Sequence, residues 1–381
     1  MGIPVLLVAT TTSWLGTARI PKVLAQAGFD VSMLTPRHSL AEASQFIARI
    51  GYLQDHTTPG QWFEAFAAMV KAAAPRLVIP CDDMAFRLLA WVATAPPQGM
   101  RIEVRLQLGA LIRASLGQPA HYAASVDKTL LPPLAEALGV RVPPYVVIAD
   151  IADAGAFVAR HPFPVVLKRA HGFAGQGVAI CADQGELARA FDAFAAADAQ
   201  DVRETTGKRY LLQAHVAGPV QYFHAVAWQG EIIAGWALEK LVAHPAPTGP
   251  PTMTRYFSGT ELRRTATALA RGFGISGFFF AEFIVDLATG APCLLEINRR
   301  VSPATHRGAL YNVDPCAALF GALEGTATKS RAALDPEEEG ITVHFPQEWL
   351  RDPGSPQLSQ YPVDVPWDEP VLLEALLKLR H

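Results

Sequence analysis

The chain has 381 residues, half of them hydrophobic and 18% charged, with a formal net charge of −3 at pH 7. That length exceeds what one hydrophobic core ordinarily serves, so two or three domains are expected. The near-neutral charge excludes the basic surface by which nucleic acids are usually bound.

Cys81, Cys181, Cys293 and Cys316 stand far apart with no CxxC or zinc spacing, which predicts core thiols in a reducing compartment. The N-terminus has no basic stretch and no small-residue cleavage site. Val5–Val8 is too short to span a bilayer, and Leu6 stands where a myristoylation signal needs Ser or Thr. The expected address is the cytoplasm, with no membrane partner.

In chain order, Ile3–Val8 reads as a strand ending in Ala9-Thr10-Thr11-Thr12-Ser13, followed by a helix over Thr17–Ala27 and a strand over Val31–Leu34. Helical spacing recurs at Leu40–Ile50 and Trp62–Ala74. Arg76–Pro80 is a strand running into Cys81-Asp82-Asp83 and a helix over Met84–Ala93. Strands alternating with helices predict a parallel, Rossmann-like sheet. No GxGxxG follows the first strand, so a dinucleotide site has no support. Thr10–Ser13 and Asp82–Asp83 lie where such sheets bind ligands, although helix capping explains them equally.

Ala110–Leu138 is mostly helical in pattern, with breaks expected near Pro119 and Pro132. A small α+β module follows over Tyr145–Val216. It reads as strands Tyr145–Ile148, Pro164–Lys168, Gly177–Cys181 and Tyr210–Val216, with a helix over Gln184–Ala197. Between its second and third strands runs Ala170-His171-Gly172-Phe173-Ala174-Gly175-Gln176-Gly177, preceded by Lys168. Glycines let backbone N–H groups approach a phosphate, and Lys168 adds a point charge. A tight turn is the plainer reading, and the GK[ST] ending of a Walker A loop is missing. Gln221–Trp228 and Glu231–Ala237 form a hairpin around Gln229-Gly230, ended by Lys240. The proline-rich His244–Thr252 is a loop, Thr260–Phe273 a helix, and Pro315–Leu323 another helix. The segments His344–Trp349 and Asp364–Pro370 read as irregular packing on the body, and Glu337–Glu339 as a solvated acidic run.

The chain turns on the stretch from Phe278 to His306. Two apolar runs, Phe278–Val285 and Pro292–Ile297, flank Ala288-Thr289-Gly290, a hairpin turn with glycine where a positive φ is needed. Pairing symmetric about Thr289 sets Glu282 opposite Glu296, and Asn298 falls on the same face. Facing carboxylates destabilise a sheet, and buried ones are costly unless paired or metal-bound. A hard divalent cation answers both. The alternative is a solvated hairpin face with two exposed glutamates.

The order of these motifs (VVLKRAHGFAGQGV, YLLQAHVAG, AEFIVD and LLEINRR) resembles the ATP-grasp superfamily, and within it the carboxylate–amine ligases, over about Val126 to Leu319. The implied fold is α/β plus α+β: a pre-ATP-grasp Rossmann-like domain (1–110), then a two-lobed ATP-grasp domain (111–325). The latter would have a small lid lobe at about 145–216 and a metal-binding lobe at about 217–325. Residues 326–381 would be a C-terminal extension packed on the body. By this resemblance Lys128 and Lys168 contact ATP phosphates, Gly172, Gly175 and Gly177 form the phosphate loop, and Gln213, Ala214, His215 and Val216 form the adenine hinge. Glu282, Glu296 and Asn298 hold Mg2+ or Mn2+, and Arg300 stabilises the transferring phosphoryl group. Ser302 and Thr305 lie in the loop that meets substrate, and Arg255 resembles a substrate or phosphate contact. Two positions depart from the pattern. Ala214 replaces a glutamate that usually meets ribose, leaving Gln221 as the candidate, and Arg299 replaces the proline of EINPR.

The implied reaction joins a carboxylate to an amine through an acyl phosphate, releasing ADP and phosphate. Lys168 and Arg300 are the catalytic candidates, and small molecules the partners. His306 is a candidate base for the amine proton, against a structural role, and His171 and His215 stand under the same alternative. Arg255 and Arg299 hint at an anionic substrate. A thiol or carbamate-type nucleophile, a non-catalytic nucleotide-binding module and a Rossmann oxidoreductase are the competing readings. A homodimer is compatible with the sequence and not fixed by it.

Overall fold

The computed structural model describes residues 2–54, 57–96, 101–172, 177–200, 209–326 and 339–380. The first sheet is wholly parallel, with strands β1 (Ile3–Val8), β2 (Phe29–Pro36), β3 (Arg49–Leu53) and β4 (Leu77–Pro80) in the order β3-β2-β1-β4. Helices α1 (Leu15–Gln26), α2 (Pro59–Ala73), α3 (Asp83–Thr94) and α4 (Ile102–Leu116) accompany it. β1 is buried on both faces: Val5 and Leu7 enter one core, Leu6 and Val8 the other.

The helix expected over Leu40–Ile50 is a single 3₁₀ turn, Leu40–Ala43, and the chain then enters β3. Ser39 and Glu42 cap that turn reciprocally, and Ser44 is already extended. β3 is an edge strand whose residues are mostly part-exposed, so it shows no alternation for a sequence reader to find.

After α5 (Leu131–Ala137), the module predicted over Tyr145–Val216 forms a four-stranded antiparallel sheet. Its elements are β5 (Tyr145–Ile148), α6 (Gly155–Val158), β6 (Val165–Arg169), β7 (Val178–Cys181), α7 (Gln184–Gln200) and β8 (Tyr210–Ala214), with strand order β5-β8-β6-β7.

The third sheet is antiparallel throughout. It comprises β9 (Val220–Trp228), β10 (Glu231–Ala243), β11 (Pro251–Phe257), then α8 (Thr260–Gly272), β12 (Gly277–Val285), β13 (Pro292–Asn298), then α9 (Pro315–Glu324), and β14 (Gly340–Val343). The order is β13-β12-β9-β10-β11-β14. One face packs on α8 and α5 through Phe223, Phe279, Phe283, Leu262 and Phe273. At one end the other face meets the first sheet through Val226, Trp236, Phe278, Ile20 and Leu319.

Three expectations change here. β10 runs past Lys240 to Ala243. The proline-rich loop ends earlier than predicted, because Pro251 and Thr252 open β11, and a proline is tolerated as first residue of a strand. The C-terminal region is not merely irregular: it supplies β14, then α10 (Gln347–Arg351), α11 (Gln357–Gln360) and α12 (Pro370–Leu377). Leu372 and Leu376 of α12 pack with Ala18 of α1. All four cysteines are free and buried. No described helix is long and apolar enough to cross a membrane.

Candidate active site

The hairpin of β12 and β13 places Glu282 directly opposite Glu296, with Phe280 opposite Asn298. The turn is as expected, with Gly290 at φ +68° and the Asp286 carboxylate accepting from Ala288 N (2.9 Å) and Thr289 Oγ1 (2.9 Å). Below the glutamates, however, Phe283 pairs with Leu294, so Leu295 is an extra residue in β13. This β-bulge turns both Leu295 and Glu296 to the same cavity. Without it the register set by the turn would bring Leu295 opposite Glu282.

The cavity measures about 540 Å³, within the usual range for small-molecule sites. Lys168, the segment Gln213–Val216, Glu282, Glu296, Arg300 and Ser302 all line it. Asn298 Nδ2 donates to Glu296 Oε1 (2.9 Å), and Lys128 Nζ stands 3.4 Å from Glu296 Oε2. Lys128 Nζ also donates to Gly172 O (2.8 Å), its backbone N–H to Ala170 O (2.8 Å), and His171 Nδ1 lies 2.9 Å from Val126 O. The foot of the glycine-rich loop is thereby tied to the segment carrying Lys128. Gly177, at φ +77°, closes the loop where its carbonyl accepts from Arg169 N (2.9 Å). Gly175 lies outside the described residues.

The charges are strongly perturbed. Burial and the facing Glu296 push the Glu282 carboxyl up, against Lys240, Lys168 and Lys128. Burial also works on Glu296, but Lys128, the Asn298 amide, Lys168 and Arg300 hold its carboxyl below the ordinary range. Burial pulls Lys168 down to about 8, although both glutamates oppose it. Two carboxylates facing each other at close range cannot both ionise freely, so one is pushed up and the other held down.

Arg300 is 4% exposed and held three ways. Its Nε donates to Asp83 Oδ1 (2.8 Å), its Nη2 to Asn298 Oδ1 (3.2 Å), and its guanidinium lies over the Trp14 ring at 4.6 Å. Asp83, at the start of α3, thus braces Arg300 from the first domain's side. Asp82 has the capping role, accepting from Ala85 N (2.8 Å) and from Thr10 and Thr11.

At the hinge, Gln213 is buried, its Oε1 has no partner among the described residues, and Ala214 N donates to Pro144 O (2.8 Å). The chain then turns at Gly218, where a Cβ would meet Val285 O at 1.8 Å, so only glycine fits against the end of β12.

Several expected residues point elsewhere. Gln221 and Arg255 lie on the face of the sheet away from the cavity. There Glu239, paired with both in register, accepts from Gln221 Nε2 (2.8 Å) and Arg255 Nη2 (3.1 Å), and Arg255 Nη1 reaches Glu339 (3.1 Å). Arg299 is 2% exposed and donates to Leu116 O and Ser125 Oγ, a buried strut to the first sheet rather than a substrate contact. Ser302 lines the cavity, but Thr305 turns inward to accept from Ser302 N (2.8 Å). His306 is buried against Asp364 (2.8 Å) and pulled down to about 3, chiefly by burial.

Other cavity residues went unread in the sequence. Lys240 donates to Gly249 O (3.3 Å), and its charge acts on Glu282. It shares a face with Leu238, a signal visible only once β10 is known to continue. His224, stacked on Trp236 and Phe280, faces Ser302 Oγ at 3.0 Å. Trp14 and Arg307 also line the wall.

Residues 127–215 match the family model of the carbamoyl-phosphate synthase L chain, ATP binding domain. No curated protein sequence matches the chain. Among solved structures it is similar to the biotin carboxylase domain of Hydrogenobacter thermophilus 2-oxoglutarate carboxylase, at TM-score 0.66 and 15% identity over 90% of this chain and 74% of that one. Biotin carboxylase from Campylobacter jejuni gives 0.67 and 15% over 89% and 75%. L-amino acid ligase from Bacillus licheniformis gives 0.61 and 13% over 84% and 75%.

Proposed function

The chain carries the ATP-grasp fold, and on that premise we propose that it is an ATP-dependent ligase joining a carboxylate to an amine, with release of ADP and phosphate. The observation that carries the reading is the direct opposition of Glu282 and Glu296 on a cavity wall, beside Asn298 and within reach of three lysine charges. The domains follow the same reading: a Rossmann-like first domain, a lid formed by the β5–β8 sheet, a metal-binding lobe formed by the six-stranded sheet, and a C-terminal extension.

The donor set is all oxygen, two carboxylates and an amide, which suits magnesium or manganese. Glu282, Glu296 and Asn298 would hold it, and the bound metal neutralises phosphate charge during transfer. Lys128 and Lys168 fix the phosphates, and Gln213 to Val216 border the adenine. Arg300, prevented from swinging by Asp83 and Trp14, presents fixed positive charge to the transferring phosphoryl group. The substrate carboxylate oxygen attacks the γ-phosphorus, the bond to ADP breaks, and an acyl phosphate results. The amine then attacks the acyl carbon, phosphate leaves, and the amine proton passes to solvent or phosphate. Closure of the lid keeps water from the acyl phosphate.

The test is magnesium-dependent ADP release across paired acids and amines, bicarbonate included among the acids, with product masses determined. Glu296→Ala is expected to lower ADP release roughly a thousandfold, about 4 kcal/mol of transition-state stabilisation, in a protein that still melts cooperatively. An active Glu296→Ala enzyme would overturn the assignment.

A further inference from the structure

Beyond the metal end of the cavity, the wall holds a guanidinium whose two outer nitrogens meet no partner among the described residues. Arg307 is 1% exposed and lines the cavity. Its Nε donates to Asp364 Oδ2 (2.5 Å), while Nη1 and Nη2 have no partner among the described residues. Asp364 is fully committed. Its Oδ2 also faces His306 Nε2 (2.8 Å), its Oδ1 accepts from Phe345 N (2.7 Å), and its backbone carbonyl accepts from Arg19 Nη2 (2.7 Å). Arg19 thus meets the backbone of Asp364, while Arg307 meets its carboxylate through Nε alone. Glu369 and Asp368 also act on Arg19, and Glu369 is engaged with Ser44 (2.8 Å), so none of these carboxylates is hydrogen-bonded to Arg307 Nη1 or Nη2. On the same wall Gln347 Oε1, an acceptor, likewise has no partner.

Buried donors left without an acceptor are costly even on a paired guanidinium, and the fork formed by the two outer nitrogens suits a carboxylate. The phosphates cannot be that acceptor. They are bound by the Lys128, Lys168 and Arg300 group, and Arg300 is already joined to Asn298 and Asp83. Arg307 faces instead towards His224 and His344 on the cavity side, both of which feel its charge.

We propose that Arg307 docks a carboxylate that the reaction does not consume, with Gln347 Oε1 accepting an N–H of the same molecule, so that one substrate is an amino acid or a dicarboxylate. This rests on the ligase reading and specifies its substrate class. The anionic group hinted at by Arg255 and Arg299 is thereby reassigned to a residue the sequence did not single out.

Binding, rather than turnover, tests it. L-amino acids and linear dicarboxylates, each beside its amide, are titrated calorimetrically into the full chain in the presence of MgADP. At least one acid is expected to bind, with its amide about 10- to 100-fold weaker. Arg307→Gln should erase that preference, and Arg307→Lys, which keeps the charge and loses the fork, should retain part of it. Should Arg307→Gln fail to fold by circular dichroism, Arg307→Lys and the wild-type acid–amide comparison still decide. Preference for amino acids or for dicarboxylates identifies the source of the carboxylate. Equal binding of acids and amides, an acid preference surviving in Arg307→Gln, or no binding by any acid overturns the proposal. ADP release is measured separately. A chain that binds an acid through Arg307 yet releases no ADP with any pair keeps this subsite and loses the ligase reading.

Discussion

Single residues in this chain are decided by what burial does to their charge. Lys168 is the example at the site: buried and drawn down to about 8, it keeps its proton through the two glutamates. On and behind the cavity wall, burial holds His224 and His306 neutral, each drawn down to about 3, and draws His344 well below the ordinary imidazole range. An unfolded imidazole takes its proton near pH 6.5. Below that pH the unfolded chain binds protons that the folded chain refuses, so stability falls on acidification, down to the folded values. Three such residues give a slope of up to roughly 4 kcal/mol per pH unit. Melting temperature is therefore expected to drop steeply from about pH 7 to about pH 5, and His306→Gln should flatten part of the drop; a level profile would refute the neutral-histidine account. Arg307 was illegible in the sequence because its one carboxylate partner lies 57 residues away. Glu282 and Glu296 were legible because their partner is local, across one turn.

At the scale of the element, the hairpin is where counting along the sequence both succeeded and fell short. Pairing symmetric about Thr289 holds at Phe280, Ala281 and Glu282, and fails one step later at Phe283. The metal face was thus correctly drawn, while the bulge that produces it left no trace in residue type, since Leu295 is an ordinary strand leucine. Because Leu295 is the extra residue, deleting it is expected to leave Glu296 opposite Glu282 and Asn298 opposite Phe280 in a regular ladder, with most ADP release retained and circular dichroism little changed. Loss of ADP release to background would mean that the bulge itself, and not only the pairing of Glu282 with Glu296, sets the metal geometry. β3 and β11 went unread for a related reason. β11 buries Thr252 and Thr254 among its partners, so polar residues sit inside and the apolar alternation that marks a strand is absent. The long antiparallel strands β9 and β12, with buried aromatics, were plain.

For the whole molecule, the C-terminal region is structural to the site rather than an appendage. It gives β14 to the edge of the six-stranded sheet, Asp364 to Arg307 and His306, and α12 to α1. A chain ending after residue 326 exposes the edge of β11 and leaves Arg307 without its carboxylate. An unpaired edge strand is an aggregation template, and an orphaned buried charge costs about 3–5 kcal/mol. Such a truncation is expected to be largely insoluble, or to melt far below the full chain; an equally stable product would show the extension to be dispensable.

The same edge has a consequence for synthesis. The parallel sheet has all four strands once Pro80 has been made, but β11 of the large sheet stays without its outer neighbour until Val343 emerges. At ribosomal rates of about 5–20 residues per second, β11 waits on the order of ten seconds for its neighbour. During that interval the nascent polypeptide presents a row of unmet amides to the cell. β14 then replaces the 7-residue edge of β11 with one of 4 residues, a shorter template for any sibling chain.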